Sequence, residues 1–255
     1  MSDNSIRYEK RDDGIAIVTL DRPEKLNALT GPLLQTLSDV VDEIEADPDV
    51  RVFLLRGSPR PDGRPCFSAG VDVSAFATGE GVGEEDGFNL TNKIDDLLKP
   101  SICVIDGICT TGGGEIALAC DFRLVARTAQ ISDWHLKKLG TGLGAWGAST
   151  RWARECGVTN AKQMLLTGRV IDGDEAFRIG FASAVYDSAD LEAGALEMAT
   201  QIAGMNPDGI KLVLAHLDRI DDMSRDQALR WAKLSADWLD VKVGESELKG
   251  KILGS

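Results

Sequence analysis

Residues Ser101–Asp121 read SICVIDGICTTGGGEIALACD, and this segment carries the strongest structural signal in the chain. It begins with an apolar run typical of a buried strand, turns at Gly107, and continues through three glycines into an apolar helix. Consecutive glycines lose much backbone entropy on folding, so they indicate a close approach of a ligand or of another helix. The N–H groups left unpaired at a helix start also favour negative charge. The segment therefore predicts a strand–turn–helix unit that can bind an anion.

Glu115 follows the three glycines within the first turn of this apolar helix. A carboxylate at this position lies beside the unpaired N–H groups, where it can move protons next to a developing negative charge. Compensation of the helix dipole is the alternative role, and it is more typical of an exposed glutamate than of one between glycine and isoleucine. Glu115 is therefore the first candidate catalytic residue.

A second segment, CFSAGVDV at Cys66–Val73, follows the preceding predicted strand and a loop rich in proline and glycine. Small residues around Gly70 let the backbone bend sharply and turn an N–H group outward. An ordinary turn has the same composition, so this segment alone is weak evidence for a site.

Strands and helices alternate on the N-terminal side of these segments. Two apolar runs, Ile6–Glu9 and Ile15–Leu20, are separated by Asp-Asp-Gly and predict a hairpin. Thr30 followed by Pro32 predicts a helix start, and Val50–Arg56 has the composition of a buried strand.

The remaining segments add a loop and several helices. Residues 77–87 contain four glycines and four acidic residues, which predicts a mobile loop before a helix at residues 88–98. From about residue 160 onward the apolar periodicity is nearly all helical. The sequence thus predicts an α/β core followed by a helical C-terminal section.

Composition restricts the class of protein. The net charge is −13 without any cluster of Lys and Arg, which argues against a nucleic-acid partner. The five cysteines form no C-x-x-C pair and predict free thiols in a reducing cytoplasm rather than disulfides or a zinc site. The polar N-terminus shows no secretory signal, and no apolar run approaches the roughly 18 residues of a membrane span. We expect a soluble cytoplasmic globule.

Taken together, the ordered motifs resemble the crotonase superfamily, the enoyl-CoA hydratase/isomerase family. The motifs are LDRPEKLNALT at Leu20–Thr30, FSAGVDV at Phe67–Val73, KPSICVIDGICTTGGGEIALACDFRLVA at Lys99–Ala126 and LLTGRVIDGDEAFRIGFASAVY at Leu165–Tyr186. Four motifs in this order are much more specific than any one of them.

The resemblance implies an α/β fold, a crotonase-like spiral of ββα units with a helical C-terminal trimerisation region. The core with the CoA site and active site would occupy residues 1–195, and the helical region residues 196–255. The expected assembly is a homotrimer or a dimer of trimers. The expected partner is an acyl-CoA thioester; no metal or other cofactor is implied, because CoA arrives as part of the substrate.

The resemblance also implies roles for individual residues. The backbone N–H groups of Val71 and Gly112 would form an oxyanion hole for the thioester oxygen, and Glu115 matches one of the two catalytic glutamates of the hydratases. CoA-binding positions are expected at Lys25, Leu26, Ala28, Ala69, Val71, Asp72 and Val73. Asp72 is also expected to hold its loop through side-chain to backbone hydrogen bonds.

The second catalytic glutamate of the hydratases is missing. The corresponding segment is QISDWHLKKLG at Gln130–Gly140, and it is one residue longer than the family pattern. His135 falls at the glutamate position when counted forwards and Leu136 when counted backwards, with Asp133 nearby. His135 and Asp133 are therefore the candidates for the second catalytic group.

Two tryptophans, Trp134 and Trp146, are candidates for an acyl pocket, although core packing explains them equally well. Hydration of an α,β-unsaturated CoA thioester is the preferred function. Double-bond isomerisation, and C–C hydrolysis or decarboxylation of a CoA thioester, remain open because the second glutamate is absent. A non-catalytic binding protein of the same fold is the alternative from another class.

Two further patterns are poor matches to other enzymes. Residues 142–147 read GLGAWG, a literal G-x-G-x-x-G, but a dinucleotide site requires a preceding buried strand and a βαβ unit. Ser68 lacks the G-x-S-x-G context of a hydrolase nucleophile. His216, on a candidate amphipathic helix, is interpreted as structural.

Overall fold

The computed structural model describes residues 5–238, and within that range the strands form two sheets. The strands are β1 (Ile6–Lys10), β2 (Ile15–Leu20), β3 (Val52–Gly57), β4 (Cys66–Ser68), β5 (Ser101–Ile105), β6 (Ile108–Thr110), β7 (Phe122–Ala126), β8 (Gln130–Ser132) and β9 (Ala184–Tyr186). The larger sheet has the order β1-β2-β3-β5-β7-β9, and the smaller one the order β4-β6-β8.

The α-helices alternate with the strands at first and make up most of the later part of the described chain. They are α1 (Gly31–Ala46), α2 (Glu84–Asp95), α3 (Gly112–Ala119), α4 (His135–Leu139), α5 (Ala148–Cys156), α6 (Val158–Thr167), α7 (Gly173–Arg178), α8 (Ser188–Ala203), α9 (Pro207–Leu217) and α10 (Arg225–Trp238). Within residues 5–238, no helix combines the length and the apolar character needed to cross a bilayer.

The first two strands form the predicted hairpin. β1 pairs antiparallel with β2, with Ile6 opposite Leu20, and Gly14 supplies the turn with a φ of +81°. All six residues of β2 are buried, as expected for a strand covered on both faces. From β2 onward the larger sheet is parallel.

Three successive units repeat the order strand, strand, helix. The chain passes from β3 to β4 to α2, from β5 to β6 to α3, and from β7 to β8 to α4. In each unit the first strand joins the larger sheet and the second joins the smaller one. This is the predicted spiral of ββα units.

The smaller sheet places three loops side by side. Its strands are all parallel, and they end at Ser68, Thr110 and Ser132. Because the carboxyl ends of parallel strands meet at one edge of a sheet, the segments that follow these three residues converge there. The site described below is built from those segments.

Two helix starts show how local sequence sets the element bounds. The Thr30 side chain accepts a hydrogen bond from the Leu33 N–H at 3.3 Å and caps α1, as predicted. A 3-10 helix spans Val73–Thr78 and α2 begins at Glu84, so the prediction of a loop over residues 77–87 is wrong for its first two and its last four residues. Acidic residues in the first turn stabilise a helix through its dipole. In α2 the Asp86 carboxylate also accepts the Gly83 N–H at 3.2 Å.

The chain divides into two units between Met205 and Asn206. Helix α8 belongs to the first unit, because it packs on β3, β5 and β7 and buries Leu191, Ala195 and Ala199. The boundary expected at 195/196 falls inside this helix. In the second unit α9 contacts α10, where the rings of His216 and Trp231 stack at a centroid distance of 4.9 Å. The end of the expected C-terminal region, residues 239–255, lies outside the described residues.

Candidate active site

The start of α3 lies at the edge where β6 ends. Thr111 precedes the helix with a φ of +53°, a strained conformation for a β-branched residue. Hydroxyl contacts hold it: the Thr111 Oγ1 lies 3.1 Å from the Thr110 Oγ1, which accepts the Ser132 hydroxyl at 2.9 Å. The geometry fixes where the first N–H groups of α3 point.

The glycines of α3 make room for protein groups. A Cβ at Gly112 would lie 2.7 Å from the Trp146 Cζ3, and one at Gly113 would lie 2.8 Å from the Ser68 Cβ. At Gly114 no atom lies within 4 Å of such a Cβ. Close packing thus explains two of the three glycines, where the sequence also allowed the approach of a ligand.

The loop after β4 brings Val71 next to the start of α3. Leu29 donates its N–H to the Gly70 carbonyl and accepts the Asp72 N–H, each at 2.8 Å, so Val71 stands opposite Leu29 in a parallel bridge. In that pairing the N–H of Val71 points away from Leu29. A Cβ at Gly70 would lie 3.4 Å from the Gly112 nitrogen, which places the two loops in contact. Within residues 5–238, neither the Val71 nor the Gly112 N–H donates to a backbone carbonyl.

Asp72 holds this loop in place. Its carboxylate accepts the Ser74 N–H at 3.1 Å and the Ser74 hydroxyl at 2.5 Å, and it pairs with Arg22 at 3.2 Å. The Ser74 hydrogen bond holds the pKa of Asp72 below its usual value against the opposing effect of burial, and Arg22 acts in the same direction. Arg22 also donates to the Ala28 carbonyl at 2.5 Å, which joins the two segments expected to bind CoA.

The expected CoA-binding residues divide into two groups. Ala69, Val71 and Val73 line the cavity beside the start of α3, whereas Lys25, Leu26, Ala28 and Asp72 are not part of its wall. Lys25 is exposed and Ala28 is buried. The Leu26 carbonyl accepts the Ala69 N–H at 3.0 Å, so the first segment supports the second.

Glu115 is buried, with 2% of its surface exposed, and both of its oxygens have partners. Its Oε1 accepts the backbone N–H groups of Trp146 at 2.9 Å and Ala148 at 3.2 Å. Its Oε2 lies 3.3 Å from the His135 Nε2. The carboxylate is therefore held in one orientation, facing the imidazole.

His135 lies between two carboxylates. Its Nδ1 is 3.1 Å from each oxygen of Asp133, and its backbone N–H donates to the Asp133 Oδ1 at 3.1 Å. Burial disfavours the imidazolium, but the hydrogen bonds with Asp133 and Glu115 outweigh it and raise the pKa of His135 to about 9. Leu136, the alternative from the sequence, is 41% exposed. The structure thus places His135 at the position opposite Glu115.

A cavity of about 690 Å³ opens beside these groups. Glu115 and His135 line it, as do Val71 and Thr111, whereas Asp133 lies behind the imidazole and does not. Much of the remaining wall is apolar and includes Phe76, Val82, Trp134, Leu139, Leu143 and Trp146. Within residues 5–238, no cluster of three or more His, Cys, Asp or Glu side chains has the geometry to hold a metal ion.

Comparison with known proteins identifies the family. Residues 10–237 match the family described as enoyl-CoA hydratase/isomerase. The chain belongs to this family. It is 33% identical over 207 residues to a probable enoyl-CoA hydratase of Mycobacterium leprae, covering 80% of this chain and 78% of that protein.

Two further relatives extend the likeness over more of the chain. A short-chain-enoyl-CoA hydratase of Clostridium acetobutylicum is 33% identical over 232 residues, covering 89% of this chain and 85% of that protein. The crystal structure of an enoyl-CoA hydratase from Bacillus anthracis superposes with a TM-score of 0.86 at 25% identity, covering 97% of this chain and 95% of that one. The crotonase-like fold expected from the motifs is confirmed.

This enoyl-CoA hydratase/isomerase family member contains a loop whose role the sequence did not reveal. Residues 142–147, the literal G-x-G-x-x-G, connect α4 to α5 and do not follow a strand, so they are not a dinucleotide-binding turn. Gly144 has a φ of +74°, and a Cβ there would lie 2.7 Å from the Glu115 Oε1. The loop delivers the Trp146 N–H to the carboxylate, and its glycines were the only signal for it.

The two tryptophans differ in their surroundings. The Trp146 ring packs against Gly87 of α2 and Gly112 of α3, while its carbonyl accepts the Thr91 hydroxyl at 2.9 Å. Trp134 is half-buried, and its Nε1 donates to the Gly168 carbonyl at 3.1 Å. Both residues line the cavity, so the acyl pocket remains a prediction for this wall.

Proposed function

We propose that the chain is an enoyl-CoA hydratase-type hydro-lyase that adds water to the double bond of an α,β-unsaturated CoA thioester. The family match and the relatives named as hydratases support this activity. They do not favour the alternatives of isomerisation, C–C hydrolysis, decarboxylation or non-catalytic binding. The observation that carries the proposal is the 3.3 Å contact between Glu115 and His135 at the cavity wall.

The thioester oxygen is proposed to bind the N–H groups of Val71 and Gly112. Attack of water at the β-carbon moves negative charge onto that oxygen, and two oriented donors stabilise it. Loss of one donor of this kind typically costs about 3–4 kcal/mol of transition-state stabilisation. The close approach of Gly70 to the Gly112 nitrogen supports this assignment, because it brings the loop that carries Val71 against the start of α3. Val71 and Thr111 line the cavity, whereas Gly112 is not part of its wall.

Glu115 and His135 are proposed to move the protons. Glu115 takes a proton from water as its oxygen bonds to the β-carbon, and the His135 imidazolium gives a proton to the α-carbon. The products are the hydrated thioester, a protonated Glu115 and a neutral His135. A proton transfer across the 3.3 Å contact then restores both groups, so the pair is ready for another turnover without a further acid or base.

Asp133 is proposed as a positioning residue. Its bonds to the Nδ1 and the backbone N–H of His135 fix the orientation of the ring and keep it protonated near neutral pH. His135 is thereby a proton donor in place of the second glutamate of the hydratases.

CoA arrives with the substrate, and no separate cofactor takes part in the steps above. A homotrimer or a dimer of trimers is the proposed assembly, which sedimentation velocity tests. The five buried free cysteines support a reducing cytoplasmic location.

The test is hydration of a short trans-2-enoyl-CoA, followed by loss of the conjugated enoyl thioester absorbance and by mass spectrometry. Glu115→Gln keeps the size of the side chain but removes the base, so kcat is expected to fall by about 10²–10⁴. Binding of the saturated acyl-CoA, measured by calorimetry, is expected to persist. Unchanged turnover in this variant would remove Glu115 from the mechanism.

A further inference from the structure

Lys138 is a cation in the cavity wall that the proposed hydration does not use. It lies in the last turn of α4, and its Nζ is 3.4 Å from the centroid of the Trp134 ring. Both side chains line the cavity. An ammonium over an indole is attracted to the face of the ring, so Trp134 restrains the direction of this flexible side chain.

Lys138 has no anionic partner within residues 5–238. The cation–π contact with Trp134 is its one side-chain interaction in that range. The carboxylate in the cavity wall belongs to Glu115, and its oxygens are taken by two backbone N–H groups and by His135. The mostly apolar wall thus presents an uncompensated positive charge, although the whole chain has a net charge of −13.

The position of Lys138 places its charge near the acyl group of the proposed substrate. Lys138 follows His135 by three residues, so the two side chains share one face of α4 about 5–6 Å apart at their bases. In the proposed mechanism His135 faces the α-carbon. An acyl chain that continues along α4 from the double bond therefore reaches Lys138 within a few carbons.

We propose that Lys138 binds a carboxylate at the far end of the acyl group, which makes enoyl-CoA esters with a terminal carboxylate the preferred substrates. This inference rests on the proposed hydration and specifies its substrate class. The chain supplies a matched control. Lys137 occupies the same last turn and has the same charge near the helix C-terminus, but it donates to the Gly168 carbonyl at 3.2 Å and does not line the cavity.

The experiment compares pairs of trans-2-enoyl-CoA esters of five to eight carbons that end in a methyl group or in a carboxylate. The wild type is expected to prefer the carboxylate ester at one or more lengths. Lys138→Met is expected to lose about tenfold in kcat/KM on the CoA thioester that ends in a carboxylate. On the thioester that ends in a methyl group, it is expected to keep the wild-type rate. Lys137→Met is expected to match the wild type on both, and Lys138→Arg to retain the preference.

Each other outcome has a defined meaning. An equal loss of kcat/KM by Lys138→Met on the methyl-ended and the carboxylate-ended thioesters would overturn the proposal. Lys138 would then act on the phosphates of CoA or on the stability of α4. An unchanged kcat/KM on both series would also overturn the proposal. Hydration of neither series by the wild type would refute the proposed function instead. Calorimetry with the saturated esters then still tests Lys138, because equal affinity for both ends contradicts the proposed ion pair.

Discussion

The row formed by Glu115, His135 and Asp133 places one imidazolium between two buried carboxylates. With the histidine protonated, the ring bonds to a carboxylate through each nitrogen. Each contact favours the proton on the ring, which explains why the pKa of His135 is raised to about 9 despite burial. A histidine that stays protonated at neutral pH can give up a proton, which is the role proposed above for His135.

Asp133→Asn tests this arrangement. The variant removes one negative charge that holds the proton on His135, so the pKa of the imidazole is expected to fall. In the wild type, kcat is expected to decline as the pH rises through about 9, because the proton donor is lost. In the variant the same decline is expected at lower pH, with kcat at neutral pH reduced about tenfold or more.

The pH–rate profile distinguishes this effect from a loss of structure. Asp106→Asn is the control, because the Asp106 carboxyl bonds the Ser188 hydroxyl at 3.1 Å and does not line this cavity. Its alkaline decline is expected to match that of the wild type. An unshifted profile in Asp133→Asn would show that Asp133 does not control the proton on His135.

At the scale of elements, the loop between α4 and α5 determines how Glu115 is held. Its backbone supplies the Trp146 N–H to the carboxylate, and Gly144 passes beside the Oε1 with a positive φ. Thr91 and Arg151 bind the Trp146 carbonyl, at 2.9 and 2.7 Å, so α2 and α5 fix the loop from either side. The backbone of this loop therefore positions the Glu115 carboxylate directly.

Gly144→Ala is expected to disturb this loop. The new methyl group would lie 2.4 Å from the Ala148 Cβ, 2.7 Å from the Glu115 Oε1 and 3.2 Å from the His135 Cε1. The backbone would also be strained at a φ of +74°. We expect the free energy of unfolding to fall by about 1–3 kcal/mol and kcat to drop, because the carboxylate must shift.

The matched substitution is Gly142→Ala in the same loop, where no atom lies within 4 Å of the added methyl group. Denaturant titration and steady-state kinetics on both variants give the comparison. Equal behaviour of the two variants would mean that the loop does not constrain Glu115.

At the scale of the whole molecule, the protonation of His135 links stability to pH. A group whose pKa is raised from 6.5 to about 9 on folding contributes stability fully below pH 6.5 and loses it as the pH rises through about 9. Wild-type stability is therefore expected to decline over that window by more than the stability of His135→Gln. The readout is the difference between their free energies of unfolding, measured by denaturant titration at the two ends of the window. A constant difference would contradict the raised pKa.

Much of the fold could be predicted from the sequence, because its signals are local or belong to ordered motifs. Asp12-Asp13-Gly14 between apolar runs predicted the hairpin, and Thr30 predicted the cap of α1. The start of α2 was missed because the glycines around residues 79–87 suggest a loop, while the acidic residues that open the helix have the same polar character as a loop.

The site was predictable only where side chains carry the signal. Glu115 and His135 were named from motif positions, but the extra residue in QISDWHLKKLG left His135 and Leu136 as alternatives. The burial of His135 between Glu115 and Asp133, and the exposure of Leu136, decide between them, and burial is a tertiary property. The N–H groups of Trp146 and Ala148 that hold Glu115 were not predictable, since every residue except proline has such a donor.

The packing of the Trp146 indole against two glycines has an evolutionary consequence. The ring occupies space that a Cβ at Gly87 or at Gly112 would require, and these glycines lie on different helices. Neither glycine can gain a side chain while the indole stays, and a smaller residue at position 146 would leave a void between them. The three positions should therefore co-vary among homologues, with both glycines kept wherever tryptophan is kept and released together where it is replaced.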